Sequence, residues 1–109
     1  MSVPSEHLFV LAAVLFAIGA AGFFLRRNLI VVLMCVELML NAANLSFLAA
    51  SRMHALAAGS PGLSLEGPTF AIFVIVVAAI EAAVGLALVI ALYRNRQTVS
   101  LDALTDLKD

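Results

Sequence analysis

Apolar positions gather along the 109-residue chain into three runs separated by polar punctuation. Leu8 to Leu25 is the first, closed by Arg26, Arg27 and Asn28. Leu29 to Ala50 is the second, closed by "SRMHALAAGSPGLSLEGP", and Thr69 to Tyr93 is the third, closed by "RNRQ". About 20 apolar residues of helix cross a hydrocarbon core about 30 Å thick. Each run therefore predicts a membrane-spanning α-helix, with residues 94–109 left as a tail. Pro61, Gly62, Gly67 and Pro68 predict loop across the second connection, with Pro68 in the first turn of the third helix. The link between the first two runs is so short that they must form a tight antiparallel hairpin. The expected fold is an all-α membrane protein, with residues 1–109 forming a single three-helix membrane domain. No internal repeat or low-complexity segment interrupts it.

Composition places the chain in the same class. It is 64% hydrophobic and 12% charged, against roughly half and a quarter for soluble domains. A net charge of −1 leaves no basic patch to neutralise phosphates and excludes a nucleic-acid binder. The single cysteine, Cys35, has no intrachain partner and reads as a small buried filler. The N-terminal "MSVPSEH" has no Lys or Arg, and the run behind it exceeds a usual signal-peptide core. The first span is thus expected to stay in the mature protein.

Arg26, Arg27, Arg94, Arg96 and Lys108 all fall at one side, and Arg52 at the other. The positive-inside rule then predicts the N-terminus outside and the C-terminus cytoplasmic. In the tail, Leu101, Leu104 and Leu107 recur every three residues, a short amphipathic segment expected to lie against the membrane face or a partner. His7 and His54 lie outside the spans without a second ligand nearby, so no metal site is expected. Glu6 and Glu66 read as solvated loop residues.

Two carboxylates break the apolar runs: Glu37 in the second span and Glu81 in the third. A charge at a helix centre costs about 2.5–3.5 kcal/mol on insertion scales. One such residue could serve as hydrogen-bonding glue between helices; two in so small a chain point to a path for protons or ions. A carboxyl removed from water holds its proton to higher pH, which suits proton exchange. Na⁺ would need several converging oxygens, which the spans do not offer, so a proton relay is the expectation. Counted from Asn28 and from Arg94, the two carboxyls fall near mid-bilayer, about 6 Å apart along the membrane normal. Helices packed at 8–10 Å would then separate them by roughly 8–13 Å, with water or a partner's side chain between them.

Glu37, Asn41 and Asn44 follow one another at i, i+4 and i+7, a polar stripe that lipid would leave unpaired. Ala78, Glu81, Ala82 and Gly85 predict a small-residue surface on the third helix. Ala13, Ala17 and Ala21, with Gly19 and Gly22, predict another on the first. Three helices cannot enclose two carboxylates and a polar stripe, so the chain is expected to be one piece of a larger membrane assembly.

"RRNLIVVLMCVELMLNAANLSFLA", followed by "AAIEAAVGLALVIALYRNRQ" and a short acidic tail, resembles the subunit K family of proton-pumping NADH:quinone oxidoreductase, respiratory complex I. The resemblance runs from Leu8 to Lys108. It rests on "VELMLNAANL" and "IEAAVGLAL", each with its glutamate; the "SPGLSLEGP" connection is its least family-like part. It implies that Glu37 and Glu81 join the central hydrophilic axis of the membrane arm, supported by Asn41 and Asn44. Arg26, Arg27 and Asn28 would form a cytoplasmic loop that serves coupling or plain anchoring. It implies neighbours of the J, A and N subunit types; general composition favours a bacterial inner membrane over an organellar one. It also implies no cofactor on this chain, with NADH, FMN, iron–sulfur clusters and quinone held by other subunits. The alternative is the C-type subunit of an Mrp-like Na⁺/H⁺ antiporter or a membrane-bound hydrogenase, against which Glu81 in "AAIEAAVGLA" speaks. A rotary-ATPase ring subunit should have two spans and one carboxylate, a small multidrug transporter should have four spans, and a purely structural assembly subunit would need neither carboxylate.

Overall fold

The computed structural model describes residues 3–59, 65–97 and 99–102. It contains three α-helices, α1 (Ser5–Leu25), α2 (Leu29–Ala57) and α3 (Glu66–Arg96). All three are long and apolar enough to cross a membrane. Each outruns its apolar stretch. At 1.5 Å per residue, the 29 residues of α2 span about 43 Å, well beyond a hydrocarbon core. The connection expected to be loop from Ser51 is helical through Ala57, and α3 already begins at Glu66. The reason is local. Ser51–Ala57 contains no proline or glycine, so nothing in the backbone ends the helix where hydropathy falls. Gly59, at φ 69°, supplies the left-handed residue that closes α2.

The helix starts and stops are chemically specified where they matter. Asn28 caps α2: its side-chain Oδ1 accepts from the Ile30 N–H at 2.9 Å and the Val31 N–H at 3.4 Å. A cap of this kind is worth about 1 kcal/mol. At the far end of α3, Gln97 takes a left-handed conformation at φ 55° and donates its N–H to the Tyr93 carbonyl at 2.8 Å. Within α2, Ser46 donates its hydroxyl to the Ala42 carbonyl at 3.0 Å. That bond removes an unpaired donor from an apolar setting.

The packing has α2 in the middle, with α1 on one side and α3 on the other; α1 and α3 share no extended contact. Among the described residues no large side chain is fully buried, and the interior consists mainly of Ala12, Cys35, Ala42, Ala49, Ala55 and Ala71, with Leu29 and Leu92. The helices approach through small residues instead. Gly19 and Gly22 of α1 sit on Met39 and Cys35 of α2, and Gly67 and Gly85 of α3 sit on Ser51 and Leu33. Without a water-driven hydrophobic force between them, helices in lipid associate through such close contacts. The α1 face is therefore Ala12, Gly19 and Gly22; the expected Ala13, Ala17 and Ala21 row is exposed. Cys35 is a buried free thiol packed on Gly22. Phe47 and Phe70 stack, with centroids 5.6 Å apart, across the α2–α3 seam.

The glycines differ in what surrounds them. A β-carbon at Gly67 would collide with Ser51 Cβ and lie 2.6 Å from the Phe47 carbonyl, whereas one at Gly85 meets only the methyl end of Leu33. Leu33 can change rotamer; a helix backbone cannot. Gly67→Ala should therefore destabilise by about 1–3 kcal/mol, while Gly85→Ala stays below about 1 kcal/mol. The measurement is the amount of protease-resistant chain in membranes of expressing cells. Equal losses for the two variants would refute this pairing of α2 with α3.

Candidate functional site

The site is organised by the α2–α3 seam. Leu33, Phe47 and Ser51 of α2 contact Gly85 and Gly67 of α3. Phe47, Leu40 and Leu33 recur at seven-residue intervals, as do Ser51, Asn44 and Glu37. A seven-residue step returns to nearly the same side of a helix. Glu37 and Asn44 thus run alongside the rows that face α3.

The two contact points fix the heights of the carboxylates. Four residues beyond Leu33 on α2 is Glu37, and four residues before Gly85 on α3 is Glu81. Counting fourteen residues inward from the Ser51–Gly67 contact reaches the same pair. Antiparallel helices with equal rise keep equal counts level. By residue count the backbone positions of Glu37 and Glu81 stand near one height, against the offset of about 6 Å counted from the flanking polar residues. The cause is the end of α3, which continues to Arg96 and carries Arg94 past the level of Asn28. Arginines mark where a chain meets water, while backbone contacts set register.

The surroundings of the pair differ. Glu37 is half-buried and Glu81 is exposed on the chain by itself. Asn44 is half-buried, and its Oδ1 is buried without a hydrogen-bond partner among the described residues. It lies two turns from Glu37, about 10 Å along α2. A carbonyl oxygen left so in an apolar interior needs water or a group from another chain. Asn41 is exposed. At about 100° per residue it stands about 60° further round α2 than Asn44, beyond the edge of the seam. The three polar residues still share one side of α2, Asn44 nearest α3 and Asn41, about 40° round from Glu37, at the exposed edge. On α3, Gly85 is buried and Ala78 half-buried, whereas Glu81 and Ala82 are exposed.

Arg26, Arg27 and Asn28 form the exposed α1–α2 turn. The chain beyond α3 folds back onto that turn. Leu29 donates its N–H to the Val99 carbonyl at 2.8 Å, and Leu101 donates to the Arg27 carbonyl at 2.7 Å, pairing Asn28 with Ser100 in antiparallel fashion. Arg27 Nη1 lies 3.6 Å from Asp102 Oδ1, with both side chains largely exposed. Such a surface ion pair is worth at most about 1 kcal/mol. Sequence reading missed this contact, because backbone pairing of four residues leaves no side-chain pattern to detect. Leu104 and Leu107 of the expected amphipathic tail lie outside the described residues, as do Lys108 and the Pro61–Gly62 turn.

Among the described residues, no three His, Cys, Asp or Glu side chains converge on a common point. An apolar groove of about 420 Å³ between α1 and α2 is lined by Phe9, Ala12, Ala13, Phe16, Ala42, Ala43 and Ser46. It contains no titratable group. The acidic residues well inside the long apolar helices are Glu37 and Glu81.

Comparison with known proteins agrees with that inventory. The family model described as NADH-ubiquinone/plastoquinone oxidoreductase chain 4L matches residues 7–109. The chain is 48% identical over 108 residues to NADH-quinone oxidoreductase subunit K of Akkermansia muciniphila, covering 98% of this chain and 99% of that one. It is 50% identical to the Bacillus anthracis subunit K, with 98% and 97% covered. Against the Sorangium cellulosum subunit K it is 53% identical, with 94% and 92% covered. Near-complete coverage in both directions, at about half identity, leaves the antiporter and hydrogenase alternatives behind, and the chain belongs to the chain 4L, or subunit K, family of NADH-quinone oxidoreductases.

Proposed function

We propose that this chain works as a small integral membrane subunit of a proton-translocating NADH:quinone oxidoreductase, with Glu37 and Glu81 as proton-exchanging groups in the hydrophilic axis that couples quinone reduction to pumping. What supports this reading is the register of the α2–α3 seam, in which the backbone positions of Glu37 and Glu81 stand near one height by residue count. Two acidic groups at one height can hand charge sideways, within the plane of the membrane, from one neighbour of the chain to another. A vertical offset would instead favour transfer along the normal.

Exposure on the isolated chain supports the same reading. Glu81 is exposed at membrane depth, where contact with acyl chains is costly. In the assembly it needs cover from a polar surface of another subunit or from confined water. Asn44 Oδ1, buried without a partner, needs the same. Neighbours of the J and A types on one side and the N type on the other would provide that cover. The chain performs no redox step; NADH, FMN, iron–sulfur clusters and quinone belong to other subunits. What its residues do is take up and release a proton at the Glu37 and Glu81 carboxyls, or change charge there as quinone chemistry elsewhere drives the complex.

Arg26, Arg27 and Asn28 lie in this reading on the cytoplasmic side of a bacterial inner membrane, with the C-terminus also inside and the N-terminus outside. That places five basic residues inside and Arg52 outside, as charge bias requires.

Replacing Glu37 by Gln keeps size and hydrogen bonding but removes the exchangeable proton. In fully assembled complex, Glu37→Gln should lower NADH-driven proton pumping by roughly 100-fold, the usual scale of a lost acid–base group. Unchanged pumping with normal assembly would leave only the structural-subunit reading. Glu81→Gln, at the exposed position, should give a smaller, severalfold loss, because confined water at a subunit boundary can substitute for a side chain. A Glu81→Gln defect larger than that of Glu37→Gln would reverse the assignment of the more critical group.

A further inference from the structure

We infer that the segment Val99–Asp102 is a positioning element: it clips the end of α3 to the first turn of α2 and so holds Glu37 and Glu81 at one height. The inference rests on the relay reading of those glutamates, but its structural half stands separately.

The hydrogen-bond accounting at the start of α2 shows what the clip does. The first four N–H groups of a helix have no partner inside it. The first bond of the helix itself runs from Val32 N–H to the Asn28 carbonyl at 3.0 Å; ahead of it, Ile30 and Val31 donate to Asn28 Oδ1. Leu29 N–H, one donor further out, lies beyond what the Asn28 side chain caps and is taken by the Val99 carbonyl. The tail thus completes the cap of a helix that is distant from it in sequence. Leu101 N–H to the Arg27 carbonyl closes the pair of bonds, and the Arg27–Asp102 ion pair flanks it. Leu29 is buried beneath this junction.

The clip adds a fastener beyond the last glycine contact of the seam. The α3 face that meets α2 includes Gly67, Ala71, Ala78, Gly85 and Leu92, and its contacts at Ser51 and Leu33 set a register that the clip secures at the Leu29 end. α1 and α3 share no extended contact that would add a second restraint. At one end the Phe47–Phe70 stack pins the pair of helices; at the other, the clip does. Glu37 and Glu81 lie between these two fasteners. The left-handed Gln97 turns the chain back at the end of α3, which brings Val99 within reach of Leu29.

The test uses the assembled complex in native membranes. Asn28→Cys with Ser100→Cys probes geometry: opposed residues of a non-hydrogen-bonded antiparallel pair stand about 4.5 Å apart at Cα, within disulfide range. Mild oxidation should cross-link the double variant and not Ser100→Cys alone. Function is read with Leu101→Pro, which deletes the N–H donor while keeping an apolar side chain, and with Leu101→Val, which keeps the donor. Leu101→Pro should lower protons pumped per NADH oxidised by roughly twofold or more at unchanged complex content, and Leu101→Val should match the parent. Failure of the cysteine pair to cross-link would overturn the clip itself. Parental proton yield in Leu101→Pro, or activity that falls only in step with complex content, would overturn its positioning role. Neither result bears on the glutamates, whose own test is Glu37→Gln.

Discussion

Everything in this chain depends on how closely two helix backbones approach at glycine. Gly67 against Ser51 and Gly85 against Leu33 leave no room for a β-carbon without movement. In water, a helix pair can be held by burying large side chains. In lipid that driving force is absent, and short backbone-to-side-chain contacts take its place. Those contacts also carry geometric information, because each fixes which residue of α3 lies beside which residue of α2. The level placement of Glu37 and Glu81 follows from two such points, eighteen residues apart on both helices.

Electrostatics then assigns different circumstances to the two carboxylates. Glu37 borders the seam together with Asn44, and Glu81, four residues from Gly85 on the flank of α3, is exposed. One acidic group thus has an amide of its own helix two turns away, and the other lies open on the chain by itself.

Much of this was legible in the sequence, and the exceptions have identifiable physical causes. The three helices and the short hairpin turn were visible because hydropathy and the Arg26–Asn28 punctuation report directly on the bilayer. The ends of α2 and α3 were not, since hydropathy is blind to a helix that continues into water. The heights of Glu37 and Glu81 were misjudged because Arg94 overshoots Asn28, and flanking charges are a poor ruler for register. The docking of Val99–Leu101 on Arg27–Leu29 had no signature, being made of main-chain groups that every sequence possesses. The glutamates and the family likeness, by contrast, were plain from "VELMLNAANL" and "IEAAVGLAL".

The absence of any fully buried large side chain among the described residues has a cellular consequence. Phe24, Leu25, Phe70, Phe73, Ile80 and many other bulky residues point outward on the free chain, and nothing internal gives the fold an independent reserve of stability. Such a surface suits acyl chains or detergent and not water, so the free chain has to pass from synthesis into a bilayer without an intervening aqueous stage.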